Sequence, residues 1–216
     1  MSKVVSLEEA LKFVKDGTTV MIPGFMGVGT PETLVDGLVD KKVKDLFLIC
    51  TDTARPNVGI GKLIAGGQIK KLYASHIGTN PETGKMMNAG LIDVTLIPQG
   101  TLAERIRAGG AGLGGFLTPT GVGTVVEEGK QKMALDGKEY LLELPLRADV
   151  ALLRGSKVDK KGNVWYNAAT RNFNTHMATA ADVVIVEARE LLEVGEIDPN
   201  NVMTPGIFVD YIVKGE

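Results

Sequence analysis

Short apolar runs alternate with amphipathic stretches along most of the chain. Thr18–Ile22 is β-branched and apolar and predicts a buried strand. Leu46–Cys50, Ile69–Ala74, Leu91–Ile97, Val150–Leu153, Val183–Val186 and Ile207–Val213 predict further strands. Between them the apolar spacing changes to that of helices. Leu7, Ala10, Leu11 and Val14 follow a capping-box pattern at Ser6-Leu7-Glu8-Glu9, and Asp16-Gly17 stops that helix. Pro31 suits a first helical turn, with Leu34, Val35, Leu38 and Val39 as the apolar face. A stretch around Leu63-Ile64 that ends at Gly66-Gly67, then Pro81–Asn88, Gly100–Ala108 and Ala168–Ala180, read as helices. Near-continuous apolar strands joined through helices predict an α/β fold: an open, mostly parallel sheet with helices on both faces. Gln131–Leu144 breaks the alternation and reads as a hairpin about the Asp136-Gly137 turn, a small antiparallel insertion. No internal repeat or low-complexity tract appears, and residues 1–216 read as one domain.

Composition narrows the classes. The net charge is −2, with 24 Lys and Arg scattered along the chain, so no basic footprint for nucleic acid is present. The single cysteine, Cys50, lies in an apolar run and reads as a core thiol; it allows no internal disulfide or cysteine metal site. Met1–Glu9 is acidic and amphipathic, unlike a signal peptide, and no apolar run approaches the ~18 residues of a membrane span. The expected location is cytoplasmic, with no membrane partner. Glycine is the outlier: 27 residues, gathered at Gly24–Gly29, Gly59–Gly67, Gly109–Gly115 and Gly121–Gly123. Such clusters suggest backbone approaching a ligand closely.

Three segments carry candidate chemistry. The first is the loop Pro23-Gly24-Phe25-Met26-Gly27-Val28-Gly29-Thr30, between a strand and a helix. Amides of such a loop, backed by a helix N-terminus, can hold an anion; an ordinary tight turn fits the same residues. Glu32 stands where a Rossmann fingerprint needs its third glycine, and no Walker lysine follows. The second is the glycine-rich segment 108–124, which suits a thin ligand or a subunit edge lying on backbone, or else a surface loop. The third is Ile97-Pro98-Gln99-Gly100-Thr101, at the carboxyl end of a strand, where open α/β sheets gather ligands. Gln99 can donate and accept without titrating, or simply serve the turn. Thr51-Asp52-Thr53 lies at the equivalent end of another strand. His76 and His176 are isolated and read as structural, with no metal site. Glu127-Glu128 reads as solvated, Trp165 as core or interface, and no G-x-S-x-G elbow is present.

Together these motifs resemble the 3-oxoacid and short-chain acyl coenzyme A transferase family (family I), in particular the α subunits of its bacterial acetate or butyrate–acetoacetate members. The resemblance spans nearly the whole chain. It is carried by Asp16-Gly17, Val20-Met21-Ile22, Pro23-Gly24-Phe25, Gly29 and Pro31, by Pro98–Gly110, and by Thr118-Pro119-Thr120-Gly121. Pro23 departs from the glycine usual in the family and removes one amide donor. The resemblance implies a fold shared with ribose-phosphate isomerase-like proteins. It implies ping-pong transfer of coenzyme A between a short-chain acyl-CoA (acetyl or butyryl) and acetoacetate or another short acid, with CoA as substrate and no permanently bound cofactor. The nucleophile is expected to be a glutamate in a Ser-Glu-Asn-Gly motif on a β subunit; this chain lacks that motif. The implied assembly is α2β2. Residues 23–30 would contact CoA, Gln99 would lie near the partner's glutamate, and Thr51 and Asp52 would stand beside the site. Two rivals share the fold: a stand-alone sugar-phosphate isomerase with Asp52 as base, and an acyl-CoA-binding regulator.

Overall fold

The computed structural model describes residues 3–215; of the N-terminal stretch read for targeting, Met1 and Ser2 lie outside them. A parallel sheet forms the centre. Its strands are β1 (Thr19–Met21), β2 (Leu46–Ile49), β3 (Ile69–Ala74), β4 (Asp93–Leu96), β8 (Ala148–Asp159), β10 (Ala181–Leu192) and β11 (Tyr211–Lys214). Their order is β11-β10-β8-β1-β2-β3-β4, and a short β9 (Val164–Trp165) pairs antiparallel with β8. One face packs against α1 (Leu7–Ala10), α2 (Glu32–Lys41) and α3 (Gly61–Ala65) through Ala10, Leu34, Leu38, Leu63 and Ile64. The other packs against α5 (Gln99–Gly110) and α6 (Asn174–Met177) through Leu102, Ile106 and Met177. α4 (Pro81–Asn88) joins β3 to β4. The sheet is thus covered on both faces, which explains its near-continuous apolar strands. A second, antiparallel sheet has the order β5-β7-β6, from Phe116–Thr118, Lys138–Glu143 and Lys132–Leu135 respectively.

From β1 the chain winds outward through β2, β3 and β4, then returns to the other side of β1 as β8. The loops after β1 and β8 therefore diverge at a switch point, the place where open α/β sheets bind ligands.

Four expected elements differ. β8 and β10 are much longer than their apolar windows and stay paired from Ala148↔Ala181 to Asp159↔Leu192. Their polar halves set Arg154 opposite Glu187 and Lys157 opposite Glu190, so charges offset each other across the strands. The helix expected over Ala168–Ala180 is a 3-10 turn (Ala168–Arg171) and the short α6, broken at Asn172, whose φ of 10° is not helical. The strand expected over Ile207–Val213 begins as a 3-10 turn at Gly206–Phe208, and only Tyr211 onward pairs. At the first helix Ser6 Oγ accepts from the Glu9 amide, the forward half of the capping box.

Candidate active site at the carboxyl edge of the sheet

The loop 23–30 closes on itself first. Phe25 and Val28 exchange both backbone hydrogen bonds (3.0 and 2.9 Å), with Met26 and Gly27 at φ 51° and 91° between them. That is the dihedral signature of a two-residue hairpin turn, with methionine in a left-handed position that L residues avoid. Asp52 holds it there: its carboxylate accepts from the Met26 amide at 3.0 and 3.3 Å. Asp52 is 1% exposed. Burial pushes its carboxyl up from the ordinary value; the amides of Met26 and Ala54, then His76 and Thr79, pull the other way.

The loop is braced from behind by residues far along the chain. Asn172 donates to Val28 O (3.0 Å), and the fully buried Asn174 donates to Gly29 O (3.0 Å) and Thr170 O (2.8 Å). Asn174 also accepts from the Arg154 amide (2.9 Å), and the Arg154 guanidinium donates to Thr30 O (3.3 Å) and to Glu187 (2.9 Å). Glycine is required where these groups converge: a Cβ on Gly29 would lie 2.3 Å from Asn172 Nδ2, and one on Gly24 2.0 Å from Thr30 Oγ1. The broken 168–180 helix has its reason here. Asn172 and Asn174 spend their amides on the loop, and the backbone turns to let them.

The anion cradle expected of this loop is partly occupied, with four of its amides bonded within the protein. Pro23 has no amide proton. The amides of Phe25, Met26, Val28 and Thr30 are bonded to Val28 O, Asp52, Phe25 O and Gly27 O. The N-terminus of α2 is also taken, since Glu187 accepts from the Leu34 amide at 3.2 Å and is 1% exposed. Burial pushes the Glu187 carboxyl up, while the Leu34 amide and Arg154 pull it down.

The expected polar residues do meet at this edge. Thr51 O accepts from the Ser75 amide (3.0 Å) and hydroxyl (2.6 Å), and that hydroxyl touches the Gln99 carboxamide. Thr51, Ser75 and Gln99 thus join the ends of β2, β3 and the start of α5. Gln99 is exposed, whereas Thr51 is buried. Ser75 was not singled out in the sequence; its position one residue past a strand end was the available signal. Beyond Gln99 a cavity of about 460 Å³ opens between the first turn of α5 and β5, lined by Gly100, Thr101, Glu104, Phe116, Leu117 and Thr118 among others.

The glycine-rich segment divides. Phe116, Leu117, Thr118 and Thr120 line that cavity, but Gly109 and Gly110 end α5 against protein: Cβ atoms there would lie 2.0 Å from Leu146 O and 2.0 Å from Thr179 Oγ1. Cys50 is fully buried, and burial followed by the nearby Asp52 charge pushes its thiol well up, so it stays protonated. His76 pairs backbone with Asp52 at the strand ends. His176 lies in α6, and burial pulls its imidazole pKa down. Among the described residues no His, Cys, Asp and Glu group could hold a metal ion, and no helix is long and apolar enough to cross a membrane.

A family model described as Coenzyme A transferase matches residues 4–215. The chain belongs to the coenzyme A transferase family. Two curated members are similar over nearly their full length. The acetate CoA-transferase subunit alpha of Escherichia coli K12 is 57% identical, covering 100% of this chain and 98% of its own. The acetoacetyl-CoA:acetate/butyrate CoA transferase alpha subunit of Clostridium acetobutylicum is 54% identical over 99% and 98%. Among solved structures, an acyl-CoA transferase from E. coli O157:H7, in a thioester complex with CoA, superposes with a TM-score of 0.87 at 23% identity. The match covers 99% of this chain but 47% of that one, so the present chain spans about half of it. Glutaconate coenzyme A-transferase from Acidaminococcus fermentans gives 0.86 at 20% identity, over 99% and 75%. These two structures establish the transferase fold for this chain.

Proposed function

We propose that this chain is the α subunit of a heteromeric CoA-transferase that exchanges CoA between a short-chain acyl-CoA and acetoacetate or another short-chain acid. The glutamate that attacks the thioester comes from a β subunit, in an α2β2 assembly in the cytoplasm. One observation carries the reading: the carboxyl edge presents neutral polar groups to the cleft, while its carboxylates are committed. Asp52 accepts from Met26, Glu187 pairs with Arg154, and Glu104 at the cavity wall pairs with Arg107. Gln99 remains exposed beside Ser75, able to bind a carboxylate or thioester oxygen without competing for its charge. Nucleophilic catalysis by a carboxylate then needs a second polypeptide. Burial disfavours the isomerase reading, since Asp52, its candidate base, is closed off from the cleft.

The test is reconstitution. Co-expressed with a chain carrying a Ser-Glu-Asn-Gly motif, the complex should transfer CoA from butyryl-CoA or acetyl-CoA to acetoacetate or acetate with ping-pong kinetics, and mass spectrometry should find a CoA adduct on the partner. The purified α chain should transfer nothing. Transfer by the α chain alone would overturn the proposal.

A further inference from the structure

Two helices that start at the carboxyl edge open in opposite ways. At α2 the first turn carries Glu32, and the Leu34 amide is taken by Glu187. At α5 no side chain caps the start, and no acidic residue stands in the first turn. Leu102 is the first residue of α5 whose amide bonds back, to Pro98 O. The amides of Gln99, Gly100 and Thr101 have no acceptor among the described residues. A helix of 12 residues thus presents open donors and the positive end of its dipole.

A second observation lies in the same turn. Thr101 lines the 460 Å³ cavity between α5 and β5 and is 3% exposed, and its hydroxyl has no hydrogen-bond partner among the described residues. A buried hydroxyl without a partner is costly, and an acceptor bound beside it would relieve that cost.

The rest of the cavity says which acceptor fits. No lysine or arginine lines it, and its one carboxylate, Glu104, pairs with Arg107. A single negative charge suits the partial charge at a helix start, whereas a phosphate would lack a cation. Across from α5, Phe116 and Leu117 form a half-buried apolar wall. β5 is an end strand of its sheet, so no neighbouring strand fills that side. Gln99, which meets Ser75, directly precedes the lining residue Gly100.

We infer that this cavity, read as part of the transferase site proposed above, seats the short monocarboxylic acid of the reaction. The carboxylate takes the open amides of α5 and the Thr101 hydroxyl, beside Gln99. The apolar tail lies along Phe116 and Leu117, which set the longest chain accepted.

The test follows the α–β complex with acetoacetyl-CoA as donor and acetate, butyrate or hexanoate as acceptor. Phe116→Ala/Leu117→Ala should lower the KM for hexanoate about tenfold relative to that for acetate, the scale of a methylene in an apolar pocket. Thr101→Val keeps the side-chain shape, so it serves even where the double variant does not fold. It should raise the KM for all three acids about tenfold. Its denaturation midpoint without ligand should not fall below the parent's, because the hydroxyl has no partner to lose. An unchanged chain-length profile in a folded double variant, or unchanged KM values in Thr101→Val, would overturn the inference. So would loss of co-purification with the partner by a folded variant, which would make the wall a subunit contact. Should the wild-type complex transfer nothing, the functional reading fails by itself. Saturation-transfer NMR of the complex with butyrate then decides this one: a butyrate signal that weakens in Thr101→Val upholds it, and no signal in the parent overturns it.

Discussion

Two turns in this molecule share one backbone device and differ in what holds them. Met26-Gly27 (φ 51° and 91°) and Asp136-Gly137 (φ 51° and 76°) each join antiparallel-paired residues, Phe25↔Val28 and Leu135↔Lys138. The second is a local product. Asp-Gly tolerates the left-handed pair, and the flanking strands supply the ladder. Its surroundings are solvent: β6 is exposed throughout, and Lys132 lies 3.4 Å from both Glu127 and Glu139. The first places methionine where methionine is strained and keeps it there with bonds from Asp52, Asn172 and Asn174. A turn whose residues tolerate the left-handed pair is specified by those two residues; one that puts methionine there is held by the rest of the protein.

The largest effect that separates the two should come from Arg154→Met. It leaves Glu187 buried without its cation and frees Thr30 O, so chemical denaturation should show a loss of about 3 kcal/mol. Next, Asn174→Ala removes donors from Gly29 O and Thr170 O and an acceptor from the Arg154 amide. A loss of about 2 kcal/mol is expected, with faster amide exchange in residues 28–30 and none of that change at the hairpin.

A pair of glycine substitutions tests the comparison at matched backbone geometry. Gly137→Ala should cost about 1 kcal/mol, the left-handed penalty alone, because no atom lies within 4 Å of its Cβ position. Gly27→Ala should cost about twice that, since its Cβ would lie 2.4 Å from Val58 Cγ1. Equal losses would show that the braced loop yields as freely as the hairpin.

Asp52 and Glu187 give the comparison a pH dependence. Burial raises both folded-state pKa values, so just above the ordinary carboxylate range of about 4 the folded chain binds more protons than the unfolded one. Their contribution to stability is therefore full below the ordinary pKa and falls as pH rises through the raised value. Asp52→Asn should flatten that decline, measured as the denaturation midpoint between acidic and neutral pH. A decline as steep as in the parent would sink the assignment. The smallest effect belongs to the hairpin: Lys132→Ala should change stability by under about 0.5 kcal/mol.

Much of the architecture was legible in the chain. β3 and α4 fall at the bounds that their apolar runs and caps gave, and the Asp136-Gly137 hairpin formed where its turn residues stand. These elements are governed by neighbours within a few residues. The meeting of Thr51 with Gln99 was legible in outline, because both follow strands and parallel strands bring their carboxyl ends together. Arg154 and Glu187 each stand one residue past an expected strand, but nothing in the sequence tied them to the loop 23–30. Asn172 and Asn174 looked like ordinary polar residues of a helix, and the helix drawn through Ala168–Ala180 erased the Asn172 break.

By itself, then, the amino-acid order determined the sheet, the capping of the first helix and the free hairpin, since each depends on residue type and short spacing. Only the tertiary structure decided that the glycine loop is braced from far along the chain. The Met26 amide, the Gly29 carbonyl and the Leu34 amide at the helix start are claimed by groups between 26 and 153 residues away, and which distant carboxylate or carboxamide reaches them is fixed by strand order and register, which no local pattern encodes.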